Sequence, residues 1–138
     1  MKSEIHKNKK LNKNNMNKTN KIIYWASTSL LSALLLMSAG MYVFNNEMVQ
    51  GLFTSFGYPT YIIYPLAVLK IAAVIVLLSQ KQSNIKEWAY SALFFEFILA
   101  FFAHVMINDG EQMASIIAMV LLLVSYFFGK KIFTSKIV

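Results

Sequence analysis

Two apolar runs, residues 61–79 and 88–107, are each long enough to cross a bilayer, are joined by a short loop, and each carry one ionisable residue near the middle. These residues are Lys70 and Glu96. A charge at the centre of a membrane helix costs about 2.5 to 3.5 kcal/mol on insertion scales, so two of opposite sign in consecutive spans call for an explanation. Lys70 lies nine residues before Ser79, and Glu96 eight after Trp88. At 1.5 Å per residue both fall about 12 to 14 Å from the connecting loop. The short loop makes the helices antiparallel neighbours, so the charges can meet. The first run inserts despite its lysine: eleven Ile, Leu and Val residues between positions 62 and 78 contribute about 3 to 7 kcal/mol against a lysine penalty of about 3.

Two further apolar runs, 22–46 and 113–129, complete a set of four. About 20 residues span a hydrocarbon core of roughly 30 Å, and with 57% hydrophobic and 14% charged residues the chain is not an ordinary soluble domain. The expected fold is all-α: an integral membrane four-helix bundle of up-down topology over residues 22–130, with spans at about 22–44, 61–79, 88–107 and 113–129. Residues 1–21 and 131–138 flank it as basic tails. The first tail, mostly Lys and Asn, is expected to be mobile and weakly attracted to anionic lipid heads. Met16 offers an alternative start that keeps two lysines before the membrane.

The net charge of +7 is a topology signal rather than a nucleic-acid footprint. All thirteen basic residues are lysines; apart from Lys70 they lie in the two tails and the 80–87 loop, while the other two loops hold only Glu47, Asp109 and Glu111. The excess of positive charge on one side places both termini in the cytoplasm. No nucleic-acid-binding motif accompanies the lysines. The absence of cysteine excludes disulfides and thiolate chemistry within the chain.

Along the chain, Tyr24 and Trp25 stand at an expected membrane interface. The run that follows is longer than the roughly 7 to 15 residues of a signal-peptide core. Ala26, Ser29, Ala33, Met37 and Gly40 form a small-residue stripe suited to close packing against a neighbouring helix. Gly51, Gly57 and Pro59, with several aromatic neighbours, predict a turn-rich outer segment lying in the interface. In the third span Trp88, Ala92, Glu96, Ala100 and His104 recur every four residues, a narrow stripe expected to face the bundle interior. Ser115, Ala118, Leu122 and Ser125 line one side of the fourth span, which is expected to end at Gly129, Lys130 and Lys131.

The chain resembles the DoxX-like family of small four-helix membrane proteins over roughly residues 22–128. The resemblance rests on Gly57-Tyr58-Pro59, Lys70, the run Lys86-Glu87-Trp88-Ala89-Tyr90, and then Glu96, Ala100, His104 and Asp109-Gly110. Ile71-Ala72-Ala73 depart from the glycine that often follows the lysine in this family. The resemblance implies a bacterial inner-membrane protein. It implies an activity only loosely, since some relatives are named as subunits of quinone-linked oxidoreductases and many have no assigned activity.

Two readings of Lys70 and Glu96 stand side by side. One is an ion pair that fixes helix register, the other a polar anchor for a lipid headgroup or a quinone carbonyl. His104, nearer the outer face, either bonds within the bundle or exchanges protons with the outside through Asp109. The pocket residues are therefore Lys70, Glu96 and His104, with Asp109 as an outer proton exit. No hydrolase constellation, phosphate loop or compact zinc motif is present, so independent catalysis is not expected. The expected role is an accessory or membrane subunit with a bound quinone or lipid, in contact with the bilayer and with a redox complex or further copies of itself. The alternatives are a structural or assembly protein and a small proton-coupled transporter.

Overall fold

The computed structural model describes residues 1–134. It contains α1 (Lys2–Phe44), α2 (Asn46–Phe56), a 3-10 turn (Thr60–Ile62) leading into α3 (Ile63–Leu78), α4 (Asn84–Ile107) and α5 (Gln112–Thr134). No strand occurs among the described residues. All of these helices except α2 are long and apolar enough to cross a membrane. They run alternately up and down: α1 packs between α3 and α5, and α4 closes the square opposite α1. The start of α1, the 79–83 loop and the end of α5 thus share one end, rich in lysine, and the other end carries the acidic loops. The all-α membrane bundle is the expected one.

Large side chains fill the centre of the square. Leu31 and Leu35 of α1, Val74 and Leu77 of α3, Leu93 and Phe97 of α4 and Leu122 of α5 form one buried cluster. The buried face of α1 is Tyr24, Thr28, Leu31, Leu35 and Ala39, at steps of three and four. The small stripe through Ala26, Ser29 and Ala33 does not pack in the bundle; it lies exposed on the other side of the helix. A four-helix square needs bulk at its centre, and leucines supply it where alanines would leave voids.

Three boundaries differ from expectation. Residues 2–21 are helical and continuous with the first span, making α1 43 residues long, although their side chains are exposed and pack no core. Lysine is a good helix former, and adding turns to an existing helix avoids the cost of nucleation. Helix α5 runs through Gly129 to Thr134. Gly129 serves close packing instead of termination: a Cβ there would lie 2.9 Å from Tyr24 Cε2. The expected tail at 131–138 is thus helical to Thr134, and residues 135–138, with Lys136, lie outside the described residues. Finally, α4 starts at Asn84, where the Ser83 side chain caps it by accepting from the Lys86 amide at 3.3 Å.

The outer segment folds as α2, whose Val49 and Phe53 pack on Tyr42 and Ile63. It ends at Gly57 in the left-handed region (φ 76°), with the Tyr58 amide donating to Phe53 O at 2.8 Å and the Gly57 amide to Thr54 O at 3.0 Å. This double closure needs a residue that tolerates positive φ. Helix α2 thereby covers the acidic end of the bundle.

Candidate functional site

Lys70 faces inward from α3 and is 5% exposed. Its Nζ donates to Glu96 Oε1 on α4, and the same nitrogen stands 5.2 Å from the centre of the Tyr42 ring on α1. Burying either charge without the other would be costly, and pairing offsets part of that penalty. Both charges thus meet at mid-bundle, as their equal distances from the connecting loop require.

Helix α3 packs chiefly on α1, and α4 chiefly on α5, so the seam between α3 and α4 stays open. Alanines at positions 72, 73, 89 and 92 leave it without bulk, and a groove of about 290 Å³ results. It runs from Leu66, past Lys70 and Glu96 and then Ala73 and Ala92, to Val76, Ile85 and Trp88 near the basic end. Ile85 and Trp88 are 64% and 77% exposed, so the groove opens sideways where lipid would lie. The stripe of Trp88, Ala92 and Glu96 faces this groove rather than the bundle interior. The interior face of α4 is Lys86, Tyr90, Leu93 and Phe97.

A second hollow of about 340 Å³ lies between α4 and α5, lined by Tyr90, Phe94, Phe95, Leu122, Tyr126 and Phe127 among others. It is the larger of the two but contains no charged side chain. Of these two, the α3–α4 groove joins an apolar wall to ionisable side chains, the combination that binds and orients an amphiphile. Lys70 has three N–H donors and spends one on Glu96, so a carbonyl or hydroxyl oxygen entering the groove would find a donor.

His104 is not part of this groove. It lies eight residues beyond Glu96, about 12 Å along the axis. Its Nδ1 is 2.8 Å from Asp109 Oδ2, and the Phe56 ring of α2 stacks edge-on with centroids 5.0 Å apart. Asp109 Oδ1 accepts from the Glu111 amide at 2.9 Å. That amide first, with His104 beside it, holds the Asp109 carboxyl below the ordinary carboxylate range. His104 and Asp109 therefore come together as expected, but as an exposed turn at the acidic end. No cluster of three His, Cys, Asp or Glu side chains occurs among the described residues.

A further polar site was not anticipated. Lys86, placed by its sequence position among the loop charges, is 2% exposed. Its Nζ donates to Ser79 O at 2.7 Å and to the Tyr24 hydroxyl at 3.0 Å, and lies 4.6 Å from the Phe133 ring centre. Tyr24, expected at the interface, is fully buried. The signal was the spacing of Lys86 with Tyr90, Leu93 and Phe97, which puts the lysine on the buried face of α4. Deeper in the bundle, the Ser125 hydroxyl meets Thr28 Oγ1 at 2.6 Å and the Tyr90 hydroxyl at 2.7 Å, tying α1, α4 and α5 together.

No curated protein and no solved structure matches the chain at a significant level. The profile of one family does, over residues 26–128, a stretch that takes in the four spans, the Lys70–Glu96 pair and Lys86. On that match the chain belongs to the DoxX-like family.

Proposed function

We propose that this protein is an accessory or membrane subunit that binds a quinone or lipid in the α3–α4 groove, with the ligand's oxygen at Lys70 and its apolar part lying toward Trp88. The observation that carries this reading is the groove itself: a sideways-opening apolar trough with the Lys70–Glu96 ion pair in its wall. Its volume is at the lower end of the roughly 300 to 1,000 Å³ of ligand sites, enough for one ring or one chain. In this reading the protein resides in a bacterial cytoplasmic membrane with its lysine-rich end inside. Glu96 accepts from Lys70 and holds its side chain at the groove. His104 and Asp109, remote from the groove, act at the surface of the acidic end rather than on the ligand.

The test is a mass-spectrometric inventory of small molecules extracted from purified protein, comparing wild type with Lys70→Ala and Glu96→Gln at equal folded yield. A stoichiometric quinone or lipid present in wild type and lost from both variants is the expected result. Equal nonspecific lipid in all three would leave Lys70 and Glu96 as a register-fixing pair and support the structural reading. Proton-coupled flux into vesicles, abolished by Glu96→Gln, would instead favour transport.

A further inference from the structure

The Lys70–Glu96 pair is unevenly exposed. The Lys70 side chain is 6% exposed and that of Glu96 25%, so a molecule in the α3–α4 groove meets the carboxylate before the ammonium. Lys70 Nζ donates to one carboxylate oxygen, Oε1, and among the described residues nothing donates to the other, Oε2. Ser32 Oγ is the one sealed side-chain polar atom without a partner among those residues. The unbonded Oε2 is therefore open, on a side chain that lines the groove.

An ion-paired carboxylate accepts hydrogen bonds and donates none. Of the other side chains that line the groove, Lys70 and Trp88 carry donors only and the rest are apolar. Glu96 thus supplies the groove's one side-chain acceptor, beside a lysine with N–H groups to spare. The Trp88 indole N–H, two turns away and about 12 Å along α4, is too far to serve the same head group.

This pairing of donor and acceptor discriminates among head groups. A carbonyl oxygen accepts from Lys70 but sets its lone pairs against Oε2, and a phosphate does the same with a full negative charge. An ammonium suits Glu96 and is repelled by Lys70. A neutral hydroxyl satisfies both, since its oxygen accepts from Lys70 while its O–H donates to Oε2.

Resting on the groove reading above, we infer that the site selects a neutral hydroxyl-headed amphiphile over its carbonyl counterpart: a hydroquinone rather than a quinone, or a lipid with a free hydroxyl rather than a phospholipid. A site built to bond a hydroxyl rejects an analogue without one, because a polar group is then left unpaired away from water.

The test titrates the full-length protein in detergent micelles, without oxygen, with a decyl-substituted benzohydroquinone, the matching benzoquinone and a diacylglycerol, and counts bound molecules by native mass spectrometry. Expected in wild type is hydroquinone binding tighter than quinone binding by about tenfold or more. Glu96→Gln should abolish that preference, because its amide offers an N–H to the carbonyl. Ala92→Phe, which fills the groove, should bind neither. The diacylglycerol separates the sources: binding tighter than the hydroquinone assigns the hydroxyl to a lipid, and weaker binding assigns it to a hydroquinone. Equal affinity for quinone and hydroquinone, with both lost in Ala92→Phe, would leave the groove as a ligand site and overturn the selection, as would a preference that persists in Glu96→Gln. No binding of any probe to wild type, or binding undiminished in Ala92→Phe, would overturn the groove reading and the selection with it. The wild-type comparison decides the matter even where Glu96→Gln fails to fold.

Discussion

Lys86 Nζ donates to the Tyr24 hydroxyl at 3.0 Å, and that hydroxyl donates in turn to Leu77 O at 3.3 Å. A single phenol oxygen thus ties α4 to α1 and α1 to the last turn of α3. Ser79 O, accepting from the same lysine, closes the basic end. Tyr24→Phe removes the central oxygen and leaves a buried ammonium short of an acceptor. The expected cost is about 1 to 3 kcal/mol. Thermal unfolding in detergent checks it; an unchanged midpoint would show that the hydroxyl contributes nothing.

Gly129 gives the Tyr24 ring its place. Because an added Cβ would lie 2.9 Å from Cε2 and 3.2 Å from Cδ2 of that ring, Gly129→Ala forces the tyrosine off its hydrogen bonds or α5 away from α1. Overpacking of this kind costs about 1 to 3 kcal/mol. The same unfolding measurement applies, and the Gly129→Ala and Tyr24→Phe effects should be non-additive because the two residues touch.

For the intramembrane pair, removing one partner should be worse than removing both. Lys70→Leu alone leaves Glu96 half-buried beside apolar neighbours, a loss of about 3 to 5 kcal/mol, whereas Lys70→Leu with Glu96→Leu should recover most of it. Equal destabilisation by the single and double variants would contradict a direct pair.

At the acidic end, Asp109 titrates below the ordinary carboxylate range because the folded turn presents the Glu111 amide and His104 to its charged form. A carboxyl depressed on folding stabilises at pH above its unfolded value, and that contribution disappears as pH falls through the lower folded value. The Glu111 amide resonance, followed by nuclear magnetic resonance, should therefore titrate with a midpoint below the roughly 3.9 of a free aspartate. A midpoint at or above that value would show that the turn does not hold the charge.

The bundle was legible because four apolar runs of membrane length, separated by short loops, leave one economical arrangement. The meeting of Lys70 with Glu96 followed from equal rise along antiparallel helices. Which side of each helix faces the core was harder to read. On α1 both the leucines at 31 and 35 and the small residues at 26, 29 and 33 repeat at helical spacing, and in a membrane hydropathy alone does not distinguish a face that meets helices from one that meets lipid. Lys86 was hidden for a related reason: a lysine near a helix end reads as a loop charge. Its burial depends on Tyr24 and Phe133, which are distant in sequence and are brought together only by the fold. His104 lies on the expected stripe of α4, yet two turns beyond Glu96 it stands against Phe56 of α2, away from the groove.

The proposed ligand site is the α3–α4 groove, and not merely its ion pair. Ala92→Phe would fill the groove while leaving Lys70, Glu96 and the buried core untouched, since Ala92 is an exposed wall residue. Mass spectrometry of wild type and Ala92→Phe, purified in parallel and matched for unfolding midpoint, should find a stoichiometric quinone or lipid in the first and at least a tenfold loss in the second. Retention of the same ligand at full stoichiometry by Ala92→Phe, or its absence from both, would contradict the groove as its site.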